Sequence, residues 1–547
     1  MQGWNSDNPN LFKDELEELN GRYRSNIRYF IYKNIILRNL YGVDIMVEAT
    51  EIAKLRLFLK MVAVVDVNQR DPNLGLDPLP DIDFNIRCGN TLVGYATAQD
   101  LENDLNYGDM FAKEEFLGKV HTEMDIVSHA YSTFKKVQLE QSSDLETFRN
   151  AKKELKERLK KLDDLLNKKL FASTVSGGRM KDDDWLKSHQ PFHWLAEYYD
   201  IINGNGGFDV VIGNPPYVVY RQQGYVYKIP ESYETYSCGN LYAFVLDRCL
   251  HIMSNNSRNG YIIPISSVSN DKFIPLQRLF LKETMSWYSS FSNRPGKLFD
   301  NVEQRLTIIL SQRHNTQANY YASRYQHWYV EERPFLLKKL SYHKNIQWDK
   351  TLALYKIGSI LEETMCTKLY NSGHEPREKL ASYLIGDEHC YYHNAPTYFI
   401  RSMAFKPNSG KGMKESSHYK MLNSSDSNAI ACILNSSIYY WFFKNISNCR
   451  DYASREIVPF PIGKINEINF SDLGHRLQQS YIVNRAIKNR VYPSGLVYYE
   501  EYYPAKSKSI IDEIDKVLAK HYGFTEEELD FIINYDIKYR MGDELNE

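Results

Sequence analysis

FDVVIGNPPYV, residues 208–218, joins an apolar segment to an asparagine, two prolines and a tyrosine. The β-branched and aromatic residues of 208–213 predict an apolar strand. Proline has no backbone N–H, so the strand must end near Asn214. In an open α/β sheet, ligands bind beyond the carboxyl ends of the strands. The stretch therefore predicts a binding site at residues 214–217.

The surrounding segments alternate between the two kinds of secondary structure. Residues 26–63 predict helix, short strand and helix, and residues 78–94 predict a strand ending at Gly89-Asn90. Further strands are predicted at 208–213, 260–266 and 305–311, with a helix between the first two. This alternation predicts an α/β fold with a mostly parallel, doubly wound sheet. After about residue 315 the alternation is lost, which indicates a separate α+β domain.

A highly charged segment interrupts this pattern between about residues 110 and 170. Leu155, Leu159, Leu162 and Leu166 are spaced by four, three and four residues, which is typical of a helical hairpin or a coiled-coil seam. We interpret the segment as a structural insertion, with a partner-binding arm as the alternative.

Composition bears on three further properties: affinity for nucleic acid, metal or disulfide sites, and localisation. The 67 basic and 69 acidic residues nearly cancel, so any affinity for nucleic acid must come from local patches. The seven cysteines show no CxxC or Cys/His ligand spacing, so we expect neither a metal site nor a disulfide framework. Without a signal peptide or an apolar run of about 18 residues, a cytoplasmic protein is predicted.

Residues 214–217 suit a substrate that carries a planar NH2 group. The lone pair of such a nitrogen is delocalised and barely nucleophilic. If the Asn214 side-chain oxygen and the Pro215 carbonyl each accept one N–H, the nitrogen can direct its lone pair at an electrophile. Tyr217 offers a flat face for stacking, and a base inside a duplex would first have to be flipped out. The alternative is a Pro-Pro turn that only closes the strand.

NPPY at this place resembles the hallmark of amino-methylating DNA methyltransferases. The chain looks most like the large adenine-specific methylases of type IIG restriction-modification systems and the related BREX phage-defence methylases. The segments NLYGVDI, LPDIDFNIRCGNTLVG, GYIIPISSVSN and KLFDNVEQRLTIIL follow in the order found in that family. The resemblance implies methylation of adenine N6 in double-stranded DNA with S-adenosylmethionine as cofactor and no metal. It makes Asn214, Pro215, Pro216 and Tyr217 the catalytic residues.

The resemblance also implies a set of cofactor contacts: Asp44, Ile45, Gly89, Asn90 and Asn214. Asp44 would accept from the ribose hydroxyls, and Asn90 lies where the family contacts the cofactor adenine. A solvated strand-end residue and a turn residue are the respective alternatives.

One expected part of such a fold is missing. The cofactor site of the family needs a glycine-rich turn before the NLYGVDI segment, but the only glycines before Asp44 are Gly3, Gly21 and Gly42. We therefore expect the sheet to be incomplete at its N-terminus and a second chain to supply the glycine-rich motif.

Contacts with DNA and with the flipped base are predicted on other segments. Phe299 is implied as a wall of the base pocket, with a core role as the alternative. The predicted DNA-binding residues are basic: Arg401, Lys406, Lys411, Lys414, Lys420 and Arg450. A solvated basic loop is the alternative for residues 401–420.

The sequence thus predicts five parts: 1–105, first part of the methyltransferase domain; 106–195, helical insertion; 196–315, catalytic part; 316–505, α+β target-recognition domain; 506–547, helical tail. The leading alternative is a truncated or split methylase half that binds DNA or a partner without turnover alone. Methylation of cytosine N4 or of protein glutamine stays open. A loose match to a nuclease motif, Pro80-Asp81 with Glu154-Leu155-Lys156, falls on the charged helix, so no nuclease is predicted.

Overall fold

The protein was analysed as a computed structural model that describes residues 12–21, 23–67, 69–70, 80–105, 110–140, 145–174, 180–221, 227–314, 319–346, 354–408, 413, 418–492 and 495–542. Its contacts divide the chain into two compact units. The first unit comprises Met1–Asp209, Tyr220–Tyr236 and Phe244–Asn255, and the second comprises Val210–Val219, Ser237–Ala243 and Asn256–Glu547. The division into five parts that the sequence suggests stays a prediction.

The first unit contains helices and one small parallel sheet. Its elements are α1 (Lys13–Gly21), α2 (Ile27–Asn39), β1 (Gly42–Asp44), α3 (Val47–Val62), β2 (Ile86–Cys88), α4 (Ala98–Asp104), α5 (Met110–Glu140), α6 (Leu145–Thr174), α7 (Asp182–His189) and α8 (Trp194–Glu197). Strands β1 and β2 pair in parallel, with Gly42 opposite Ile86 and Asp44 opposite Cys88. The predicted helix, strand and helix of residues 26–63 are confirmed, as is the strand before Gly89.

A buried side chain ends helix α2 and turns the chain into β1. The last carbonyls of a helix have no partner within the helix. The Asn85 amide nitrogen donates to the carbonyl oxygens of Ile36, Leu37 and Leu40, at 3.3, 3.1 and 3.0 Å. Because Asn85 directly precedes β2, the same side chain aligns the end of α2 with the strand pair.

The charged segment is a helical hairpin formed by α5 and α6. The predicted seam is confirmed, since Leu155, Leu159, Leu162 and Leu166 are buried in a core cluster. That cluster includes Phe84 and residues 192–202, so the leucines pack inside the first unit. They are not an exposed stripe that awaits a partner.

An ion-pair network ties the hairpin to the segment before β2. Lys152 of α6 contacts Asp81 and also lies 2.7 Å from Asp83, and Lys54 of α3 lies 2.9 Å from Asp83. Burial raises the pKa of Asp83, but hydrogen bonds from Lys152 and Lys54 outweigh it and lower that pKa to about 2. The carboxylate is therefore charged at neutral pH.

Three elements run through both units: β3 (Phe208–Gly213), α9 (Leu241–His251) and β4 (Met253–Pro264). They are followed by α10 (Ser266–Ser269), α11 (Ile274–Glu283), β5 (Thr284–Phe291), β6 (Leu306–Arg313), β7 (Tyr320–Ala322) and β8 (His343–Asn345). The strands form a six-stranded sheet in the order β3-β4-β6-β5-β7-β8. The α/β class is confirmed, and β3 has the predicted bounds.

The six-stranded sheet is mixed, whereas the sequence pattern predicts a mostly parallel one. Strand β6 lies between β4 and β5 and is antiparallel to both, while β5 and β7 are parallel. A parallel neighbour needs a long crossover, usually helical, but an antiparallel neighbour needs only a loop. Residues 292–305 between β5 and β6 contain neither helix nor strand, which agrees with the antiparallel pairing.

The rest of the second unit is α+β, as predicted for residues after 315. Its elements are α12 (Ile360–Tyr370), β9 (Asn371–Ser372), β10 (Glu375–Pro376), β11 (Glu388–His393), β12 (Ser402–Met403), β13 (Tyr419–Ser424), α13 (Ser427–Asn435), α14 (Ser437–Ile446), α15 (Ser454–Ile457), α16 (Ser471–Asn484), β14 (Ala486–Tyr492), β15 (Gly495–Glu501), α17 (Lys508–Tyr522), α18 (Glu526–Ile533) and α19 (Ile537–Met541). Helix α14 is buried along its whole length, including the polar residues Ser437, Lys444 and Asn445. The predicted capping box of Thr525 and Glu528 is confirmed at the start of α18. Within the described residues, no helix is both long and apolar enough to span a membrane.

We predict that Leu162→Ala destabilises the first unit. Leu162 is fully buried, so the substitution removes apolar contacts and leaves a cavity, at a cost of about 2–5 kcal/mol in the free energy of unfolding. The measurement is urea unfolding followed by circular dichroism. Lys160→Ala, at an exposed position of the same helix, is the control and should change stability by less than about 0.5 kcal/mol. Equal stability of the two variants would contradict the packing of the seam.

Candidate active site

The tetrapeptide Asn214–Tyr217 follows β3 directly and opens to solvent. Asn214 and Pro216 are exposed, Pro215 is buried and Tyr217 is half-buried. The strand ends here because neither proline can donate to a ladder. The buried ring of Pro215 anchors the turn, while the side chain before it is left accessible. The tetrapeptide is therefore not covered by neighbouring packing, and a substrate can reach it.

Tyr217 holds the Asn214 side chain in place. Its hydroxyl has one hydrogen to donate, and two acceptors share it: Asn214 Oδ1 at 2.7 Å and the carbonyl oxygen of Ile262 in β4 at 2.9 Å. Burial raises the pKa of Tyr217 to about 12, so the hydroxyl stays protonated and can donate at neutral pH. An amide oxygen has two lone pairs, so Asn214 Oδ1 can accept from Tyr217 and from one further donor.

The Pro215 carbonyl is the second acceptor of the turn. Among the described residues, no backbone N–H of a neighbouring element donates to it. Because the proline ring fixes its own φ angle, the direction of this carbonyl is restricted by the covalent structure. The turn thus presents an amide oxygen and a backbone carbonyl on consecutive residues.

Phe299 belongs to the loop between β5 and β6. It is half-buried, and its carbonyl oxygen accepts from the N–H of Val302 at 3.1 Å. Its role as a wall of a base pocket and the core alternative both stay predictions.

Asp44 and Ile45 lie at the end of β1 in the first unit, and both are exposed. Asp44 Oδ1 accepts from the N–H of Met46 at 2.8 Å, which fixes the carboxylate over the start of α3. The Asp44 carbonyl accepts from the N–H of Gly89 at 2.9 Å. The structure therefore brings the two predicted cofactor segments together, at the ends of two parallel neighbouring strands.

Position 89 requires glycine because Phe192 packs closely against its backbone. A Cβ atom at this position would lie 2.8 Å from the Cβ atom of Phe192, which is shorter than packed carbon atoms tolerate. Next to it, Asn90 is buried, and its own N–H donates to the carbonyl of Gln190 at 2.7 Å. The turn after β2 is thus fitted against residues 190–192.

The Asn90 side chain is only half satisfied. Its Oδ1 accepts from the N–H of Leu92 at 3.1 Å, which is the behaviour of a turn residue. Its Nδ2 is buried and has no partner among the described residues. An unpaired buried donor is costly. The Asn90 oxygen thus has the predicted turn role, and the contact of Asn90 with a cofactor stays a prediction.

Residues 190–193, which the sequence analysis did not single out, support this turn. His193 Nδ1 accepts from the N–H of Tyr95 at 3.1 Å, and its Nε2 lies 3.0 Å from Asn167 Oδ1. Burial, together with Arg248, lowers the pKa of His193 to about 3, so the ring is neutral and one nitrogen can accept. The cluster QPFHW was the available signal, but a single sequence does not show which turn it contacts.

The predicted DNA-binding residues differ in their surroundings. Lys411 and Lys414 lie outside the described residues. Lys406, Lys420 and Arg450 are exposed. Arg401 is half-buried, and its Nη2 donates to His393 Nδ1 at 3.1 Å.

Arg401 therefore has a local structural role in addition to any contact with DNA. Burial, Arg401 and His418 lower the pKa of His393 to about 3, which keeps its ring neutral and able to accept from Arg401. Within the described ranges, no group of three or more His, Cys, Asp or Glu side chains could hold a metal ion.

Asp44, Ile45, Gly89 and Asn90 belong to the first unit, and residues 214–217 and 299 belong to the second. The structure brings the members of the first group together at the ends of β1 and β2.

Comparison with known proteins finds a match to one family model and two relatives that align with part of this chain. Residues 38–294 match the family model of the Eco57I restriction-modification methylase. A putative type II restriction enzyme and methyltransferase of Methanocaldococcus jannaschii is 27% identical over 319 residues, which cover 50% of this chain and 26% of that protein. The type II restriction enzyme and methyltransferase RM.Eco57I of Escherichia coli is 23% identical over 206 residues, which cover 35% and 19%. The chain spans about a quarter or less of the length of these relatives.

Among solved structures, the type IIL restriction-modification enzyme MmeI in complex with DNA covers 80% of this chain and 77% of its own, with 12% identity. Its TM-score is 0.32, which is too low to support a conclusion about function or fold. The family match includes the segments of both units that hold Asp44, Asn90 and the tetrapeptide. Residues 38–294, slightly less than half of the chain, are therefore similar to the Eco57I restriction-modification methylase.

Proposed function

We propose that this chain is a site-specific DNA methyltransferase that methylates N6 of a flipped-out adenine and uses S-adenosylmethionine. The observation that carries the proposal is the tetrapeptide after β3, where an accessible Asn214 oxygen is held 2.7 Å from the Tyr217 hydroxyl. The methylase family match supports the reaction class. Adenine, the cofactor and the DNA substrate are our inferences from the chemistry of the site.

Two acceptors on consecutive residues suit an exocyclic amine. The amine has two N–H groups, and its lone pair is delocalised into the ring. Asn214 Oδ1 and the Pro215 carbonyl would each accept one N–H, which favours a pyramidal nitrogen with a free lone pair. Both acceptors are held before the substrate arrives, so little reorganisation is needed during the reaction.

Tyr217 has two roles in this proposal. Its hydroxyl orients the Asn214 amide and is anchored to the Ile262 carbonyl, 2.9 Å away. Its ring offers a face for the flipped base, an interaction worth about 1–3 kcal/mol per base in proteins that bind single strands. Phe299 would line the same pocket from the loop between β5 and β6.

The first unit has groups that fit the adenosine part of the cofactor. The Asp44 carboxylate would accept from the ribose hydroxyls, and the unpaired Asn90 nitrogen would donate to the cofactor adenine. Ile45 and Gly89 flank these groups, and Asn214 would contact the cofactor at the reacting end. When bound, S-adenosylmethionine supplies an electrophilic methyl group.

The methionine part of the cofactor has no cradle in this sequence. The only glycines before Asp44 are Gly3, Gly21 and Gly42, none in a G-x-G arrangement. We propose that a second chain supplies the glycine-rich turn. Without it, the isolated chain would act as a module that binds DNA or a partner and does not turn over.

DNA would be held by the basic residues of the second unit. Exposed Lys406, Lys420 and Arg450 suit phosphate contacts, which fix the register of a protein on a duplex. Arg401, Lys411 and Lys414 complete the proposed set. We place the enzyme in the cytoplasm, in a restriction-modification or phage-defence system.

We predict that Asn214→Ala abolishes methylation by the chain completed with its partner. Loss of one acceptor at the reacting nitrogen should lower the rate of methyl transfer by about 100-fold or more, by analogy with the loss of one donor from an oxyanion hole. The measurement is transfer of a tritiated methyl group to DNA, with DNA affinity measured in parallel. Asn103→Ala, at an exposed position of α4, is the matched control. Retained turnover would remove Asn214 from the mechanism.

We predict that Tyr217→Phe tests how the hydroxyl orients Asn214 without removing the ring that would stack on the base. The variant keeps the ring but loses the hydrogen bond to Asn214, worth about 0.5–1.5 kcal/mol, so the methylation rate should fall about 3- to 10-fold. DNA affinity should not change. Tyr217→Ala loses the ring as well and should be slower still. If Tyr217→Phe is as active as wild type, the hydroxyl does not position Asn214 during catalysis.

We predict that the isolated chain binds S-adenosylmethionine poorly. Its groups for the adenosine part are present, but the methionine cradle is missing, so the dissociation constant should be well above the micromolar range. Isothermal titration calorimetry with the purified chain measures it. Micromolar affinity would show that no second chain is needed.

A further inference from the structure

Strands β14 and β15 form an antiparallel ribbon that lies entirely in the second unit. Among the described residues the two strands pair with each other, and the one further bridge joins Tyr498 to Met413. Successive residues of β14 are exposed on both faces of the ribbon: Ile487, Lys488, Asn489, Arg490 and Val491. Each strand has 7 residues and is therefore about 24 Å long. The ribbon, residues 486–501, is a long projection of this unit.

The base of the ribbon is fastened to the second unit. Glu500 Oε2 accepts from the N–H of Asn408 at 2.8 Å and from the Tyr502 hydroxyl at 2.5 Å. Asn408 Oδ1 in turn accepts from the N–H of Glu500 at 2.6 Å, and Arg485 Nε lies 3.2 Å from Glu500 Oε1. Tyr502 is buried in the core of this unit. A two-stranded ribbon alone is marginally stable in water, so these contacts support its direction.

The acidic side chains of the ribbon are confined to this base. Glu501, next to Glu500, forms an ion pair with Lys488. Residues 489–498, which lie farther out, contain one cation, Arg490, and no acid. Met413, which bridges to Tyr498, belongs to a loop whose residues 406–414 contain three lysines and no acid. The outer part of the ribbon and this loop are thus cationic, which suits a polyanion.

The two faces of the ribbon carry different side chains, because side chains alternate along a strand. One face holds Lys488 and Arg490. The opposite face, named here the amide face, holds Ile487, Asn489, Val491, Leu496 and Tyr498. Its apolar and aromatic members are between 42% and 79% exposed. Asn489 is therefore an amide surrounded by exposed apolar side chains.

We propose that the ribbon enters the major groove of duplex DNA and that its amide face reads A·T base pairs there. Asn489 would contact adenine, Val491 a thymine methyl group and Arg490 a phosphate. Binding to DNA is argued from the ribbon alone. Its use to select the site of methylation rests on the proposed function.

The shape of the major groove fits the ribbon. The groove is about 12 Å wide and admits a two-stranded ribbon, whose strands are about 4.8 Å apart. Val491 lies two residues beyond Asn489 on the same face, a distance of about 7 Å along the strand. This corresponds to about two base-pair steps of 3.4 Å. Asn489 and Val491 would therefore contact different base pairs of one site.

The chemistry of the amide face fits A·T pairs. Adenine presents an N7 acceptor and an N6–H donor in the major groove, and the Asn489 amide has a matching donor and acceptor. Thymine presents a methyl group, which apolar side chains contact. A protein partner would also cover the apolar side chains, but it would not require the cations of residues 489–498 and of the adjoining loop. The charge therefore favours DNA as the occupant.

We predict that shortening the ribbon removes sequence-selective binding. In this variant an Asn-Gly turn replaces residues 489–498 and joins Lys488 to its partner Tyr499. The full-length chain is incubated with a library of random DNA duplexes, and the bound fraction is sequenced. Wild type should enrich a sequence that contains A·T pairs. The shortened variant should enrich none and should bind at least about tenfold more weakly.

Point variants separate base reading from phosphate contact. Asn489→Ala should lose the preference for one A·T pair, by about 5- to 150-fold, and keep the preferences at other positions. Arg490→Ala should weaken binding to all sequences and lower the salt dependence of binding by about one phosphate contact. Asn466→Ala and Arg278→Ala, at exposed positions of the same unit, are the matched controls and should bind as wild type does.

An adenine analogue identifies the groove. 7-Deazaadenine lacks the N7 acceptor of the major groove and keeps the minor-groove edge of adenine. At the selected position it should weaken binding by wild type about tenfold and leave binding by Asn489→Ala unchanged. An equal loss in both proteins would show that another group contacts N7.

Thermal melting checks that each variant is folded. If the shortened ribbon does not fold, the point variants decide, because their side chains are exposed. The proposal is overturned if wild type binds no duplex, if it enriches no sequence, or if Asn489→Ala enriches the same sequence as wild type. It is also overturned if a folded shortened variant binds DNA as wild type does, since the amide face would then serve another contact.

The ribbon and the methyltransferase proposal can fail separately, because binding is measured without methyl transfer. If Asn489 determines the selected sequence but the completed enzyme methylates no DNA, the ribbon assignment stands and the methyltransferase proposal fails. If the enzyme methylates DNA with the same specificity in wild type and in Asn489→Ala, the methyltransferase proposal stands and the ribbon assignment fails.

Discussion

The end of strand β3 is the constraint on which the rest of the site depends. The strand stops because Pro215 and Pro216 cannot donate to a ladder, and it stops with Asn214 exposed. The hydroxyl of Tyr217 then bridges the Asn214 side chain and the backbone of β4, at 2.7 and 2.9 Å. A flexible amide on a surface turn thereby becomes a fixed acceptor beside a carbonyl whose direction is restricted by its proline ring. The covalent structure and one hydrogen-bonded hydroxyl together position the two acceptors that the proposed reaction needs.

A comparable arrangement supports the turn after β2. Gly89 is required by the proximity of Phe192, and the neutral ring of His193 accepts from Tyr95. The segments are about a hundred residues apart, and the helical hairpin of α5 and α6 lies between them in the chain. Because the leucines of that hairpin belong to the same core cluster as Phe192, the insertion also stabilises the turn. The Asn90 Nδ2 of this turn is buried and has no partner among the described residues.

Apolar side chains are buried in some parts of the molecule and exposed in others. The seam of α6 and helix α14 are fully buried, and β8 ends its side of the sheet with polar residues. On β3 and β6, by contrast, the apolar side chains of Val210, Ile212 and Leu310 are exposed. Exposed apolar side chains are common on protein surfaces.

The sequence by itself determined the α/β class, the bounds of β3, the helical hairpin with its leucine seam, and Asn214–Tyr217 as the candidate catalytic turn. These features depend on local properties, namely periodicity, proline geometry and the order of the segments. Only the tertiary structure decided that β6 lies antiparallel between β4 and β5, that Tyr217 contacts Ile262, and that residues 190–193 support the turn of Asn90. It also decided which apolar side chains are exposed, because exposure depends on which segments pack together. Such pairings join residues far apart in the chain, and hydrophobic periodicity carries no information about the partner that each residue meets.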